Sequence, residues 1–307
     1  MDLLQLRYFR TVARHEHMTQ AARVLFISQS SLSKTITHLE HELGVPLFDR
    51  QGRHIRLNHY GKAFLQRVEQ VFAALDDGQR ELADLAGGGQ GQVTLASMSV
   101  YLLPDLLHTF LADHTGISIR LFNNPREATL TQLERGEVDL ALSSPPIERP
   151  GIEQVPLMRE EILLAVPLGH GLAKREAIRL SEVTHEPFLA LKPGYRLRHL
   201  TDTFCHQAGF TPRIVFEGND PVALLQLVKA GLGVACLPAL VWKSIPEIAV
   251  ARVPIEEPRC QREVLLLWSK EHYLSVAART FRDFLISYFA QLDQTMPETS
   301  PPSLTGW

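Results

Sequence analysis

The 307-residue sequence has little cysteine, and what it has is scattered. Cys205, Cys236 and Cys260 share no C-x-x-C or Cys/His ligand spacing, which argues against a disulfide framework and against structural zinc. No stretch of the chain reaches the run of about 18 apolar residues that a membrane helix needs. The opening MDLLQLRYFR carries an acid at Asp2 and polar residues by the second turn. It therefore lacks the basic start and continuous apolar core of a signal peptide, and the chain is expected to stay in the cytoplasm. Walker loop, dinucleotide fingerprint, H-E-x-x-H and G-x-S-x-G are all missing, so no catalytic residue, metal or cofactor is expected. Histidines number 13, six of them among the first 60 residues, but they show no ligand spacing and read as solvated groups.

What is present is the composition of a soluble globular protein, 45% hydrophobic and 21% charged, long enough for two or three domains. The net charge of −3 hides an asymmetry. Residues 1–60 hold eight Lys/Arg (Arg7, Arg10, Arg14, Arg23, Lys34, Arg50, Arg53 and Arg56) against five acids, so that segment is +3 and the rest −6. A basic head on an acidic body fits DNA binding by one end.

Periodicity predicts the elements. Leu3, Leu6, Phe9, Val12 and Ala13 recur at helical steps and predict a helix ending near His15. Thr19 reads as the N-cap of a short helix and Ser28 as that of the next, in which Leu32, Ile36, Leu39 and Leu43 follow at helical spacing until Gly44. Helix, tight turn, helix is a helix-turn-helix. Residues 45–57 predict a hairpin or wing, and Asn58 caps a long helix to about Leu85 with one apolar stripe, which calls for a second copy as partner. The run Gly87 to Gly91 marks a linker. Beyond it strands alternate with helices, the pattern of a parallel-sheet α/β domain, and a Pro/Ser/Thr-rich tail at 296–307 is expected to be disordered.

The first 65 residues resemble the LysR-type transcription regulators, on the combined signals AA-x-x-L, SQ-x-x-LS, LE-x-ELG-x-x-LF-x-R and N-x-x-G. Weaker resemblance continues through GEVDLAL (Gly136 to Leu142), QAGFTPR (Gln207 to Arg213) and VKAGLGVACLP (Val228 to Pro238). Within that family the chain looks most like the branch containing the Gram-positive regulator of glutamate synthase genes. The resemblance implies a multidomain chain: a mainly α-helical winged helix-turn-helix head at 1–58, a dimerising linker helix at 59–88, and an α/β effector-binding domain at 92–295. That domain is expected to have two lobes like those of periplasmic solute-binding proteins, the first about 92–161 and 268–295, the second about 162–267. It also implies double-stranded promoter DNA and a small-molecule effector as partners, self-association as a dimer of dimers (a homotetramer), RNA polymerase as a further partner, and no membrane. The pattern departs at Ser30, where proline is usual; this bears on operator sequence rather than on DNA binding.

On the recognition helix Gln29, Ser30, Ser33, Lys34, Thr37 and His38 form the expected DNA-contacting face, together with Thr19 before it. Gln reads adenine edges, and Lys reads guanine or grips phosphate. Arg53 and Arg56 on the wing are expected at the minor groove or phosphates, with Arg50 as a contact or as a support for the wing. Effector residues are expected where strands end and helices begin. These are Ser97, Met98 and Ser99 after the first strand, Asn124 and Arg126 before a helix, and across the cleft Tyr195, Arg196, Arg198, Asn219 and Asp220, each with capping or surface exposure as the alternative. Arg126 falls where the family often has a small hydroxyl residue, so an anionic, carboxylate effector is expected. The competing readings are an enzyme, a solute-binding protein of a transport system, and a DNA-binding protein whose sensor no longer responds. The missing motifs oppose the first, and the DNA-binding head and missing signal peptide oppose the second.

Overall fold

The computed structural model describes residues 1–51, 54–87, 91–97 and 100–295. The tail at 296–307 and linker positions 88–90 lie outside the described residues. The chain divides into a smaller unit, residues 1–82, and a larger one from residue 83 on.

In the smaller unit α1 (Leu3–His15) opens on a capping box: Asp2 accepts from the Gln5 N–H and the Gln5 side chain accepts from the Asp2 N–H. α2 (Met18–Val24) begins earlier than expected. Its N-cap is His17, whose ring Nδ1 accepts from the Gln20 N–H, so Thr19 sits inside the first turn and is not a cap. α3 (Gln29–Leu43) starts at Ser28, whose hydroxyl accepts from the Ser31 N–H, and stops at Gly44 with φ 70°, a conformation that suits a residue without Cβ. The apolar stripes meet in a core of fully buried Phe9, Val12, Ala21, Leu32, Ile36 and Leu39, each large side chain contributing about 1.5–3 kcal/mol.

The wing is the antiparallel pair β1 (Phe48–Gln51) and β2 (His54–Leu57). Two carboxylates anchor it. Glu40 of α3 accepts from the Leu47 and Phe48 N–H groups at 2.7 and 3.2 Å, and Glu16 accepts from the Leu57 N–H at 3.1 Å. α4 (His59–Leu85) follows. Asn58 accepts from the Gly61 N–H at 2.9 Å and donates to the Pro46 carbonyl at 2.8 Å. A Cβ on Gly61 would stand 2.0 Å from the Leu47 carbonyl oxygen, which gives the N-x-x-G spacing a physical reason: one residue caps, the other lets α4 lie against the strand entry. Buried Glu69 of α4 receives the Arg14 guanidinium at 3.1–3.2 Å with Arg10 at 3.6 Å, tying α1 to α4. Val71, Leu75, Leu82 and Leu85 of α4 remain exposed.

The larger unit runs β3 (Gly91–Ser97), α5 (Leu103–Asp113), β4 (Ile117–Phe122), α6 (Arg126–Glu134), β5 (Leu140–Ser143), β6 (Ile152–Pro167), β7 (Ile178–Arg179), β8 (Pro187–Leu191), α7 (Arg196–Gln207), β9 (Arg213–Gly218), α8 (Pro221–Lys229), β10 (Ala235–Pro238), β11 (Val250–Val253), β12 (Ile255–Glu257), β13 (Gln261–Ser269) and α9 (Val276–Thr295). The alternation is as expected, but the sheet is mixed rather than parallel. β4, β3 and β5 run parallel, β13 lies antiparallel to β5 and to the first half of β6, and β10 and β11 lie antiparallel to its second half. β6 is thus a 16-residue strand shared by two lobes. Only residues 162–167 form the continuous apolar run that predicts a buried strand; before them Pro156 and the acids Glu153, Glu160 and Glu161 interrupt the pattern. β13 rejoins the first lobe's sheet at Gln261, ahead of the expected return at 268.

One core, around Leu95, Phe110, Leu266 and Phe281, fills the first lobe, and another, around Leu164, Phe188, Leu225 and Leu237, fills the second. The second also holds the three cysteines, all buried and unbridged. Burial first, then the Asp202 carboxylate, pushes the Cys205 thiol up to about 12; burial first, then the neighbouring thiols, pushes Cys260 up to about 12 and Cys236 well above the ordinary thiol range. Gly233, at φ 157°, ends the turn after α8 where a Cβ would lie 2.3 Å from the Pro187 carbonyl oxygen, so the turn there has room only for glycine.

Two glycines of α4 separate close approach from plain helix propensity. Gly61→Ala is expected to cost about 1–3 kcal/mol through the clash with Leu47. Gly78→Ala, in open space, is expected to be neutral or to stabilise by about 0.5–1 kcal/mol. Urea unfolding of both variants checks the pair.

Candidate functional site

Ser30, Ser33, Lys34, Thr37, His38 and His41 line one open concave surface on α3, opposite the buried Leu32, Ile36 and Leu39. Five of these are among the residues expected from sequence; His41 was missed, although it lies one turn beyond Thr37 on the same face. Gln29 is exposed at the start of α3, and the Thr19 hydroxyl donates to its Oε1 at 3.1 Å. Thr19 thus touches the first residue of the face instead of capping the helix. Ser30, in the place where proline is usual, pairs its hydroxyl with that of Ser28 at 3.1 Å. His38 lies 3.4 Å from Glu42, which also takes the N-terminal ammonium at 2.9 Å. Arg56 is exposed on β2, while Arg53 and the Arg50 side chain lie outside the described residues.

The second site is a cleft between the lobes of the larger unit, with a free volume of about 50 Å³. From the first lobe it is lined by Tyr101, Arg126, Ser143, Ser144 and Arg262, and from the second by Tyr195, Arg196 and Asn219. Arg126 is the first residue of α6 and Arg196 the first of α7, and neither helix has a side-chain cap at its N-terminus. The Nε atoms of both arginines and the Ser144 hydroxyl are buried with no hydrogen-bond partner. Burial, and then repulsion from Arg126, pulls the Arg196 guanidinium below its ordinary pKa. Two like charges thus converge with donors unspent, an arrangement that costs free energy until an anion joins them.

Beneath the cleft lies a buried ion pair. Glu160 of β6, fully buried, takes the Arg262 guanidinium of β13 at 2.5 and 2.8 Å on one oxygen and the Leu240 N–H at 2.9 Å on the other. Arg262 also donates to the Tyr101 hydroxyl. Burial alone would lower the Arg262 pKa; Tyr101 and Glu160 more than offset it and hold it above its ordinary value.

Of the effector residues expected from sequence, Arg126, Tyr195, Arg196 and Asn219 come together in the cleft. Four described ones do not. Arg198 is held by Asp202 and Glu217 and donates to the Leu191 carbonyl, and Asp220 caps α8 through the Val222 N–H. Asn124 donates to Gln132 within the α6 region, and Ser97 is buried at the end of β3 away from the lining. Met98 and Ser99 lie outside the described residues. Ser143 and Ser144 were missed although they end and follow β5, where the strand-end rule points; Tyr101 and Arg262 carry no such signal.

A winged helix-turn-helix followed by a two-lobed α/β unit with a cleft is the build of a ligand-responsive transcription regulator. Residues 3–62 match the bacterial regulatory helix-turn-helix protein, lysR family, and residues 86–290 match the LysR substrate binding domain. The chain belongs to the LysR family and is a DNA-binding transcription regulator with an effector-binding domain. It is 39% identical over 294 residues to the uncharacterized HTH-type transcriptional regulator YybE of Bacillus subtilis (strain 168), covering 95% of this chain and 100% of that one. It is 34% identical over 298 residues to the transcriptional dual regulator GltC of the same strain, covering 96% and 99%. The crystal structure of full-length CbnR complexed with its target DNA is similar at a TM-score of 0.67 and 25% identity, over 95% of this chain and 99% of that one. These relatives are regulators, not enzymes. Among the described residues no helix is long and apolar enough to cross a membrane.

Glu160→Gln keeps an acceptor for the Leu240 N–H but leaves the buried Arg262 charge uncompensated. It is expected to destabilise the chain by about 3–5 kcal/mol, read by denaturant unfolding of the full-length protein; a loss below about 1 kcal/mol would show that Arg262 finds other compensation.

Proposed function

We propose that the inter-lobe cleft binds a small carboxylate anion and that this anion controls how the winged helix-turn-helix acts on double-stranded promoter DNA. The observation that carries the reading is the pair Arg126 and Arg196, whose Nε donors are buried and unpaired on opposite walls of one cleft. Guanidinium forks match the planar oxygens of a carboxylate two bonds at a time, and the uncapped N-termini of α6 and α7 add donors of the same sign. Ser143 and Ser144 supply hydroxyls, and Asn219 and Tyr195 polar edges. The cleft's free volume of about 50 Å³ is a few times the ~10–15 Å³ of probe-occupied space that one water molecule needs. It suits an anion of a few heavy atoms, and a longer dicarboxylate requires the lobes to part. That need supports a mechanism in which effector binding shifts the population of lobe arrangements. The exposed apolar residues of α4 (Val71, Leu75, Leu82 and Leu85) support self-association through that helix, in pairs and as a dimer of dimers.

A thermal-shift series from acetate to 2-oxoglutarate on the full-length protein tests the reading. Ligand at 100 times its Kd is expected to stabilise by about 2.7 kcal/mol, with the effect lost in Arg126→Ala and in Arg196→Met. An identical shift in the double variant, or none with any carboxylate, overturns it.

For the DNA face, Lys34→Ala is expected to weaken operator binding by about 1–3 kcal/mol. Anisotropy titration on operator and scrambled duplexes tells base reading from phosphate contact. Equal losses on both, with the salt slope reduced by about 0.9, assign Lys34 to phosphate.

A further inference from the structure

A second cavity lies in the larger unit, where the short 3-10 helices at Val100–Leu102 and Ala239–Ser244 meet α9. Its free volume is about 180 Å³, and about 150 Å³ with apolar walls is enough for a benzene-sized body. Leu240 and Phe289 are buried in its walls, with Leu102 and Leu292 half-buried beside them. Two exposed residues of opposite charge, Lys243 and Asp105, share the same lining, and neither is taken up in an ion pair among the described residues. Burial, and then the charge of Asp105, raises the pKa of the Tyr288 phenol in the same lining, so the carboxylate's field reaches into the cavity.

We propose that this cavity binds a free α-amino acid with an apolar side chain of about leucine's size, its carboxylate toward Lys243, its ammonium toward Asp105 and its side chain against Leu240 and Phe289. A fatty acid of the same shape pairs with Lys243 but sets its carboxylate against Asp105, and an alkylamine meets the mirror problem. A zwitterion satisfies both. The site adjoins the buried ion pair: the backbone N–H of Leu240 donates to Glu160, and Tyr101, which lines both cavities, takes a hydrogen bond from Arg262. Occupancy therefore bears on Arg262, and through it on the affinity of the cleft. That coupling rests on the anion reading of the cleft; the amino-acid site does not.

Isothermal titration of the full-length protein with leucine, isocaproate and isoamylamine tests the site. Leucine is expected to bind at one equivalent per chain, with isocaproate and isoamylamine each weaker by tenfold or more. Asp105→Asn and Lys243→Gln, both at exposed positions, are each expected to weaken leucine by tenfold or more, while Arg196→Met leaves it unchanged. No leucine binding to the wild-type chain overturns the proposal. So does equal binding of isocaproate, which would make the ligand a simple carboxylate, or loss of leucine in Arg196→Met with none in Asp105→Asn, which would place it in the cleft. An anion shift that fails while leucine still binds counts against the cleft reading alone.

Discussion

The geometry of the larger unit depends on how one strand serves two sheets, and Glu160 sits where β6 passes from the first to the second. A fully buried carboxylate is tolerable only if its charge is neutralised and its lone pairs are used. Here Arg262, arriving on β13, does the first, and the backbone of Leu240, arriving from the second lobe, helps with the second. Both lobes are thereby referred to one side chain. Pairs of this kind add little net stability over an apolar substitute, but they fix register, and this one fixes the two walls between which the cleft lies.

The cleft shows the opposite arrangement. Where Glu160 and Arg262 complete each other, Arg126 and Arg196 compete, and the helices they begin have no side-chain caps. Stability is given up in the same cleft whose lining includes Arg262, where it is secured. A fold that tolerates such a deficit in a half-exposed cleft is poised to gain when a complementary charge arrives, and the gain is delivered at the junction of the lobes.

Much of the smaller unit was legible because its instructions are local. Ser28, Gly44 and Asn58 act on residues three or four positions away, so spacing alone reveals them. Thr19 was misread for the same reason: two capping residues, His17 and Thr19, stand near one another, and the chain starts the helix at the earlier. The larger unit resisted where its instructions are long-range. The first half of β6 carries a proline and acids that look like a loop until β13 is laid beside it, and that pairing also turns a parallel sheet into a mixed one. Arg262 stands between Gln261 and Glu263, in a stretch that reads as surface; only the fold brings it against Glu160. Arg198 shows the converse. Its place at a helix start suggested the cleft, but Asp202, four residues on, was available as a closer partner.

The burial of the thiols sets a boundary on what the protein can sense. Cys205, Cys236 and Cys260 lie in the second lobe's core, protonated throughout the physiological range. A thiol in that state is a poor nucleophile toward peroxides and a poor ligand for soft metals. These three thiols are thus packing groups of the second lobe's core rather than reactive ones.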